Sequence, residues 1–350
     1  MSFQKHTQNN IEQLKKYNLG VYDNAEQIAS AMEISIDKLR FLTFTSKTSQ
    51  ISHYIYFKTA KKLAGDRIIS APLPDLKRSQ YWILQNILQK IAIHDAAHGF
   101  CGDRSIITNA NPHVGAEIII NIDLQDFFSA ITYQRVKGLF QSFGYTSSVA
   151  TIFGLLCTAP VVEERNLDNK TDFVELKQRH LPQGSPASPA ITNIICRNLD
   201  QRLCAIAEKF GFRYTRYVDD LTFSASGENL KHTKNIIKQI QSIISDEGFA
   251  INPDKTRILR NSQQQEVTGI IVNQKINVPR KKLKSFRATL HQIENEGLEG
   301  KHWGNSSNLI ASITGFANFV AMVNPEKGVE FQKQIQRIQE KYGQNNTISL

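Results

Sequence analysis

The chain has 350 residues, of which 41% are hydrophobic and 21% are charged, proportions that are ordinary for a water-soluble protein. This length is enough for one large domain or two domains of modest size. No apolar stretch approaches the roughly 20 residues that cross a bilayer, and the N-terminal sequence lacks the apolar core of a signal peptide. We therefore expect a cytoplasmic protein with no membrane partner.

The charge of the chain favours an anionic partner such as nucleic acid. The formal net charge is +10 and the isoelectric point is about 9.3, although charge by itself does not identify a ligand. Half of the excess lies in residues 275–350, which contain eleven Lys or Arg against six Asp or Glu. The C-terminal region is therefore a candidate for contact with a polyanion.

The four cysteines give no sign of a metal site. Cys101, Cys157, Cys196 and Cys204 show neither CxxC spacing nor a nearby His in a zinc-like pattern. We expect reduced, mostly buried thiols, as is usual in the cytoplasm.

The first half of the chain is predicted to contain helices and two strand regions. Residues 1–50 have the spacing of short amphipathic helices, and residues 51–72 that of a basic hairpin. One helix is predicted over residues 75–97. The nearly continuous apolar run at 116–123 is typical of a strand that other elements cover. Two helices are predicted after it, over residues 133–143 and 148–158.

The second half of the chain alternates predicted helices with short strands. Residues 163–179 are polar and predict a loop, whereas a helix is predicted from Pro189 to about residue 210. Aromatic and β-branched runs at 212–218 and 221–225 predict an antiparallel hairpin. The further predicted elements are a helix over 229–248, a small hairpin of 267–273 with 275–278, and helices thereafter with a break at 297–308. Strands interleaved with helices around an antiparallel hairpin imply an α+β fold.

The sequence Tyr217-Val218-Asp219-Asp220, here called the acidic turn, lies between the two strands of the predicted hairpin. Two adjacent carboxylates repel each other, so a fold that directs both at one point usually supplies cations there. An isolated Asp-Asp pair is, however, more often a solvated turn. Asp123 adds a third acid at the end of the buried strand, although it is also a candidate for a strand-terminal cap. Three such oxygen ligands suit Mg²⁺, and two ions together support phosphoryl transfer.

Two other segments have features of phosphate sites. Gly184 permits close backbone approach just before a predicted helix N-terminus, which favours phosphate, although a Pro-rich helix start is the more common meaning of this pattern. Lys58, Lys61, Lys62 and Arg67 surround a predicted turn at Gly65. These cations suit a triphosphate, and a solvated charged hairpin is the alternative.

Four motifs in fixed order resemble those of a reverse transcriptase, and they are most similar to the bacterial retron reverse transcriptases. They are Asp123-x-x-x-Phe127-Phe128, Leu181-Pro182-Gln183-Gly184, the acidic turn, and Gly248-Phe249-x-x-Asn252-x-x-Lys255. Two further elements resemble retron enzymes in particular, Asn109-Ala110-x-x-His113 and Val267-Thr268-Gly269. The resemblance covers about residues 50 to 290. One departure is Val218, where many retron enzymes have Ala.

The resemblance implies a right-hand polymerase with fingers, palm and a mainly helical thumb. Residues 1–50 are then an N-terminal helical extension, 51–274 the fingers and palm, and 275–350 a basic helical thumb that binds RNA. It also implies that Asp123, Asp219 and Asp220 bind two Mg²⁺ ions. Lys255 is implied as a catalytic proton donor to pyrophosphate.

The resemblance assigns the remaining candidate residues to nucleotide and RNA. Gln183 and Gly184 are implied to contact the incoming nucleotide, and Phe128 to exclude a ribose 2′-hydroxyl. The implied triphosphate ligands are Arg67 with Lys61 or Lys62. Asn109 and His113 are candidates for RNA contact, with a structural role as the alternative. The expected RNA contacts of the basic tail are Arg280, Lys281, Lys282, Lys284 and Arg287.

The expected activity is RNA-directed DNA synthesis from deoxynucleotides. The resemblance implies copying of a structured noncoding RNA into single-stranded DNA, a branched RNA–DNA product, and anti-phage defence with a separate effector protein. The alternatives are a noncatalytic RNA-binding scaffold and a reverse transcriptase of the group II intron or diversity-generating kind. An RNA-dependent RNA polymerase is disfavoured by the bulky Phe128.

Overall fold

A computed structural model describes residues 8–43, 52–60, 66–167, 170–306 and 308–342, and it confirms a mixed helix and sheet fold. The predicted turn at Gly65, with Lys61 and Lys62, lies outside these residues. No helix within the described ranges is both long and apolar enough to cross a membrane.

Three short helices form the N-terminal region: α1 (Ile11–Lys16), α2 (Ala25–Ala31) and α3 (Ile36–Thr43). Asn10 and Asn24 begin the first two helices, because their side chains accept hydrogen bonds from the free amides of the first turn. Glu33, with φ of +56°, separates α2 from α3. The buried residues of these helices belong to the same hydrophobic cluster as the central sheet.

The predicted hairpin of residues 51–72 is present as β1 (Tyr54–Ala60) paired with β2 (Asp66–Pro72). The single helix predicted over 75–97 is wrong in its second half. Helix α4 (Pro74–Asn86) gives way to a short 3₁₀ turn, Leu88–Lys90. The residues after this turn are not helical, and the buried Ala97 forms a parallel bridge with Arg216. Tertiary contact has therefore overridden the helical spacing.

The polar loop predicted over 163–179 is also wrong. This region forms a second hairpin, β4 (Ala159–Leu167) with β5 (Lys170–His180). In its register Val162 faces Glu175 and Glu163 faces Val174, so each face mixes apolar and charged side chains. Backbone pairing forms the hairpin without the apolar alternation that sequence analysis requires.

The central sheet has four antiparallel strands in the order β6-β7-β3-β8. They are β3 (Ile118–Gln125), β6 (Arg213–Tyr217), β7 (Asp220–Ala225) and β8 (Ala250–Arg260). The apolar run of β3 is buried because β3 lies inside the sheet, between β7 and β8. Sequence analysis did not predict β8, whose residues are half-buried or exposed along its whole length.

Besides the helices already described, five from the middle of the chain belong to the same hydrophobic cluster as this sheet. They are α6 (Tyr133–Ser142), α7 (Ser147–Cys157), α8 (Ser188–Ile195), α9 (Arg197–Lys209) and α10 (Thr233–Asp246). The helix predicted from Pro189 to residue 210 is thus two helices, which meet at Cys196. A short α5 (Ile106–Ala110) precedes β3.

The C-terminal region forms a second hydrophobic cluster. Its elements are the two-residue strands β9 (Glu266–Val267) and β10 (Ile270–Ile271) and the helices α11 (Arg280–Glu296), α12 (Leu309–Val323) and α13 (Pro325–Tyr342). Helices α12 and α13 pack closely at Gly328, where a Cβ would lie 2.0 Å from the Cα of Ala321. Ala110, Ala116 and Ile119 join this cluster from the side of the central sheet. The domain boundaries at 50 and 275 remain predictions.

Candidate active site

The three acids predicted to act together lie at one end of the central sheet. Asp123 near the end of β3 is opposite Asp220 of β7 in the register of the two strands. Asp219 precedes β7, and its carbonyl accepts a hydrogen bond from the Leu124 amide at 3.0 Å. Asp123 is buried, Asp219 half-buried and Asp220 exposed. The buried strand and the hairpin therefore bring the three backbones together.

Lys255 of β8 reaches the same point from the other side of β3. Its Nζ lies 2.9 and 3.1 Å from the two carboxylate oxygens of Asp123. Strand β8 begins after a turn at Gly248, whose φ is +77°, and pairs Asn252 with Asp123. The predicted catalytic lysine and the first predicted metal ligand are thus an ion pair.

Asp219 lies in an environment that disfavours its charge. Burial and the neighbouring Asp123 raise the pKa of Asp219, although the positive charges of Lys255 and Arg67 lower it in part. Two carboxylates in a partly desolvated site repel each other. A cation from outside the chain would therefore stabilise the ionised form of Asp219.

The donor set fits a divalent ion that is shared with substrate. Within the ranges that the structure describes, no three His, Cys, Asp or Glu side chains converge into a group that could hold a metal by themselves. Mg²⁺ typically takes one or two carboxylates and completes its shell with waters and substrate phosphates. Asp123 and Asp219 offer oxygen ligands of that kind, so a cage of three carboxylates is not required.

The acidic turn has a strained backbone. Val218 has φ of +61°, a left-handed conformation that a β-branched residue rarely adopts. Such a conformation costs on the order of 1–3 kcal/mol and persists only where the surrounding structure enforces it. The direction in which Asp219 and Asp220 point therefore depends on contacts around Val218.

The Gln183-Gly184 motif lies against the β1-β2 hairpin. The Ser70 amide of β2 donates to the Gln183 carbonyl at 2.8 Å. A Cβ at Gly184 would lie 3.0 Å from the Ser70 carbonyl oxygen and from a methyl carbon of Ile69, and the φ of Gly184 is +123°. Glycine is thus required by both conformation and space. Arg67, exposed on the same strand, lies close enough to influence Asp219.

Comparison with known proteins identifies the family. Residues 59–272 match the family model described as reverse transcriptase (RNA-dependent DNA polymerase). The retron Mx162 reverse transcriptase of Myxococcus xanthus is 36% identical over 342 residues, which cover 94% of this chain and 70% of that protein. The chain belongs to the retron reverse transcriptases. This membership confirms the expected polymerase fold and RNA-directed DNA polymerase activity.

A second retron relative agrees with this assignment. The retron Ec86 reverse transcriptase of Escherichia coli is 34% identical over 337 residues, which cover 96% of each protein. A telomerase structure from Candida albicans aligns with 83% of this chain and 58% of its own at 12% identity and a TM-score of 0.47, a likeness too low to carry any argument. The retron family is favoured over the group II intron and diversity-generating alternatives.

Phe128 of this retron reverse transcriptase packs at the edge of the core. Its ring lies 5.7 Å from that of Phe127, which in turn lies 5.4 Å from Phe249. The side chain is half-buried, so one part is anchored and another is accessible. Lys61 and Lys62, the other predicted triphosphate ligands beside Arg67, lie outside the described residues. Lys58 is already paired with Glu164, at 2.5 Å.

The predicted RNA contacts of Asn109 and His113 are not supported, because both side chains are fully buried. The Nδ1 and Nε2 atoms of His113 lie 2.7 Å from Ser224 Oγ and 2.8 Å from Thr215 Oγ1. Since the Thr215 hydroxyl donates to the Asn109 carbonyl, Nε2 of His113 donates to Thr215, and Nδ1 accepts from Ser224. Burial lowers the pKa of His113 to about 3, so the ring is neutral. The structural alternative therefore describes this histidine.

Asn109 connects the two retron-like elements. Its Nδ2 atom lies 3.5 Å from Thr268 Oγ1, at the limit of a hydrogen bond. Thr268 has φ of +47°, and its neighbour Val267 is fully buried in the second cluster. The Asn-Ala-x-x-His and Val-Thr-Gly elements thus join the central sheet to the C-terminal helices.

The five basic residues predicted to bind RNA are exposed along α11. The buried side of this helix consists of Leu283, Phe286, Leu290 and Ile293, so the cations face away from the core. Arg287 also lies over the ring of Phe331, at 5.6 Å from its centroid. The exposed residues are Arg280, Lys281, Lys282, Lys284 and Arg287.

Sequence analysis missed the polar residues behind the acidic turn. Arg216, two residues before Val218, is fully buried and paired with the equally buried Asp200. A signal was present, because Arg216 shares a strand face with Tyr214, and an inward-pointing arginine needs a partner. The identity of that partner on α9 was not readable from the sequence.

Proposed function

We propose that this retron reverse transcriptase copies part of a structured noncoding RNA into single-stranded DNA at the end of the central sheet. The observation that carries this proposal is the placement of Asp123, Asp219 and Asp220 at one end of the sheet, with Lys255 paired to Asp123. Two divalent ions bound there would activate the attacking hydroxyl and stabilise the leaving oxygen. We assign Asp123, Asp219 and Asp220 as their protein ligands, one or two carboxylates to each ion, with waters and substrate phosphates completing each shell.

We assign further residues of the predicted site to nucleotide binding. Gln183 and Gly184 contact the incoming deoxynucleotide, and the lack of a side chain at Gly184 allows the backbone to approach it. Arg67 binds the triphosphate together with Lys61 or Lys62, since a guanidinium offers paired donors to phosphate. Lys255 donates a proton to the departing pyrophosphate, because its ammonium group already lies beside Asp123.

Phe128 selects deoxynucleotides by occupying the space that a ribose 2′-hydroxyl requires. Its contact with Phe127 holds the ring in place, so the ring cannot yield without disturbing the core. The Phe128→Ala variant should incorporate ribonucleotides more efficiently relative to deoxynucleotides, by about tenfold or more. Primer extension with each nucleotide set measures the ratio, and an unchanged ratio would remove this role from Phe128.

The exposed cations of α11 contact the RNA or the RNA–DNA hybrid. A-form backbones are bound mainly through phosphate and 2′-hydroxyl contacts, which exposed basic side chains provide. We further propose that synthesis begins at a 2′-hydroxyl of the RNA and yields a branched RNA–DNA product. The system would act in the cytoplasm in defence against phage, with a separate effector protein.

The deciding experiment is Mg²⁺-dependent primer extension on an RNA template with deoxynucleotides. The wild-type protein should extend the primer, and Asp219→Asn should lose at least a thousandfold in rate while its RNA affinity stays within about threefold. Extension that survives in Asp219→Asn would refute the metal-ligand assignment. If the wild type is inactive, the assay is repeated with RNA that co-purifies from the native host. Inactivity on that RNA as well would refute the proposed reaction.

A further inference from the structure

A buried ion pair lies directly behind the acidic turn. Arg216 of β6 and Asp200 of α9 both have no solvent exposure. Their two hydrogen bonds measure 2.8 Å from Nε to Oδ1 and 2.7 Å from Nη2 to Oδ2. The Tyr214 hydroxyl donates a further bond to Oδ1 of Asp200, at 2.9 Å. This bidentate arrangement fixes the plane of the guanidinium.

The third nitrogen of that guanidinium faces the acidic turn. Nη1 of Arg216 donates to the Val218 carbonyl at 3.0 Å and to Oδ1 of Asn193 at 3.1 Å. The amide of Asn193 then donates to the Gly99 carbonyl at 2.8 Å. The side chains of Asp200, Arg216 and Asn193 thus form a continuous chain of hydrogen bonds to the backbone on two sides of the turn.

The segment that contains Gly99 is itself fixed to β6. The Arg216 amide donates to the Ala96 carbonyl at 2.7 Å, and the His98 amide donates to the Arg216 carbonyl at 2.8 Å. A Cβ at Gly99 would lie 2.6 Å from a methyl carbon of Val218 and 3.0 Å from the Val218 amide nitrogen. The backbone of Gly99 therefore packs against Val218 with no space for even a methyl group.

These contacts converge on the residue whose backbone is strained. Val218 has φ of +61°, and its own sequence offers nothing that favours this conformation. Buried ion pairs contribute little to stability compared with apolar residues of similar volume, so stability alone is a weak reason for Arg216 and Asp200. Directional hydrogen bonds to the Val218 carbonyl supply what apolar packing cannot, a fixed orientation of the peptide.

We propose that Asp200, Arg216 and Asn193 form a positioning network that holds Val218 in its left-handed conformation and thereby directs Asp219 and Asp220. The inference rests on the proposed function, in which those two aspartates are metal ligands. All three network residues are buried, so we assign them no direct contact with substrate. Their effect passes through the Val218 peptide and the Gly99 segment.

The test compares Asn193→Ala and Arg216→Lys with the control Tyr214→Phe. Asn193→Ala removes the link between Arg216 and Gly99, and Arg216→Lys removes the guanidinium fork that reaches Val218. Tyr214→Phe removes a donor to the same Asp200 carboxylate but leaves both contacts with the turn intact. Hydrogen–deuterium exchange of residues 217–220 is measured in the full-length protein without added metal. The kcat and KM for deoxynucleotides are measured on a primed RNA template and corrected for the folded fraction.

Exchange at residues 217–220 should be about tenfold faster in Asn193→Ala and Arg216→Lys, and unchanged in Tyr214→Phe. The kcat of the two network variants should fall about 100-fold, because small misplacements of catalytic groups are costly, with KM within about threefold. If Arg216→Lys does not fold, Asn193→Ala alone decides.

Unchanged exchange in Asn193→Ala overturns the proposal whatever the activity. The proposal is also overturned if kcat does not fall in the network variants, or if it falls only in proportion to the folded fraction. An equally large fall of kcat in Tyr214→Phe would overturn it as well. Wild-type protein that makes no DNA would contradict the proposed function instead, and the exchange comparison would still decide the positioning role.

Discussion

Positive charge occupies two contrasting environments in this retron reverse transcriptase. The guanidinium of Arg216 is fully buried, and its donors go to Asp200, Asn193 and the Val218 carbonyl. Helix α11 instead carries five cations on its exposed side. They are Arg280, Lys281, Lys282, Lys284 and Arg287.

The two environments show that burial, more than the number of charges, determines what a basic residue does. A buried guanidinium must satisfy its donors within the protein, so it fixes the groups around it. Exposed ammonium groups remain hydrated until a polyanion displaces their counterions and those of the nucleic acid. A net charge of +10 is the sum of both kinds and does not distinguish them.

The largest effect is expected where a buried charge loses its partner. Asp200→Asn leaves the Arg216 guanidinium without a counter-charge in the interior, which should lower the free energy of unfolding by about 3–5 kcal/mol. Denaturant titration measures this change. The control is Asp246→Asn, which removes one partner of the solvent-accessible Arg202 at 2.8 Å and should have a much smaller effect than Asp200→Asn. Equal losses in the two variants would show that burial does not separate these ion pairs.

A smaller effect is expected from the buried, neutral His113. Its pKa is about 3 in the folded protein, and about 6.5 is usual in an unfolded chain. Between these two pH values the unfolded state binds more protons than the folded state, so acid favours unfolding. The folding free energy that depends on a neutral His113 is fully present above pH 6.5 and is lost as the pH falls towards 3. At pH 5 the loss should be on the order of 2 kcal/mol relative to pH 7.

The His113→Gln variant isolates this contribution. Glutamine retains a donor and an acceptor for Thr215 and Ser224 but does not titrate. The difference in unfolding free energy between pH 7 and pH 5, measured by denaturant titration, should therefore be smaller by about 2 kcal/mol in the variant. A difference as large as that of the wild type would assign the pH dependence to other groups.

The sequence predicted the parts of the fold whose signal is local. The apolar run of β3, the hairpin that carries the acidic turn and the helices after residue 280 all appear where spacing and composition placed them. The acids at the end of the sheet followed from the same elements, because strand ends fix where side chains meet. Their function, however, came from the resemblance of several motifs in order.

The remaining features depend on contacts between distant segments. Residues 88–97 have helical spacing, but they form a 3₁₀ turn followed by non-helical chain, because Ala97 pairs with Arg216 more than a hundred residues away. The Asn109-Ala110-x-x-His113 motif made His113 a candidate for RNA contact. The side chain is instead buried, with hydrogen bonds to Thr215 of β6 and Ser224 of β7. The partner of Arg216 lies on a different helix. No local pattern specifies such partners.

The smallest predicted effect concerns the exposed cations of α11. Replacing Lys281, Lys282 and Lys284 by Gln should weaken RNA binding about tenfold at moderate salt. The slope of log affinity against log salt should decrease in magnitude by about two, because up to three phosphate contacts are lost. Filter binding or fluorescence anisotropy over a range of salt concentrations measures both quantities.

The matched control replaces three exposed lysines near the central sheet, Lys231, Lys234 and Lys238, with the same loss of three charges. If RNA lies along α11, this control should change the salt slope by less than about 0.5, because distant exposed charges are screened within about 10 Å. Equal slopes for the two triple variants would mean that net charge, not the position of α11, governs binding. The exposed cations would then have no specific partner, unlike the buried Arg216.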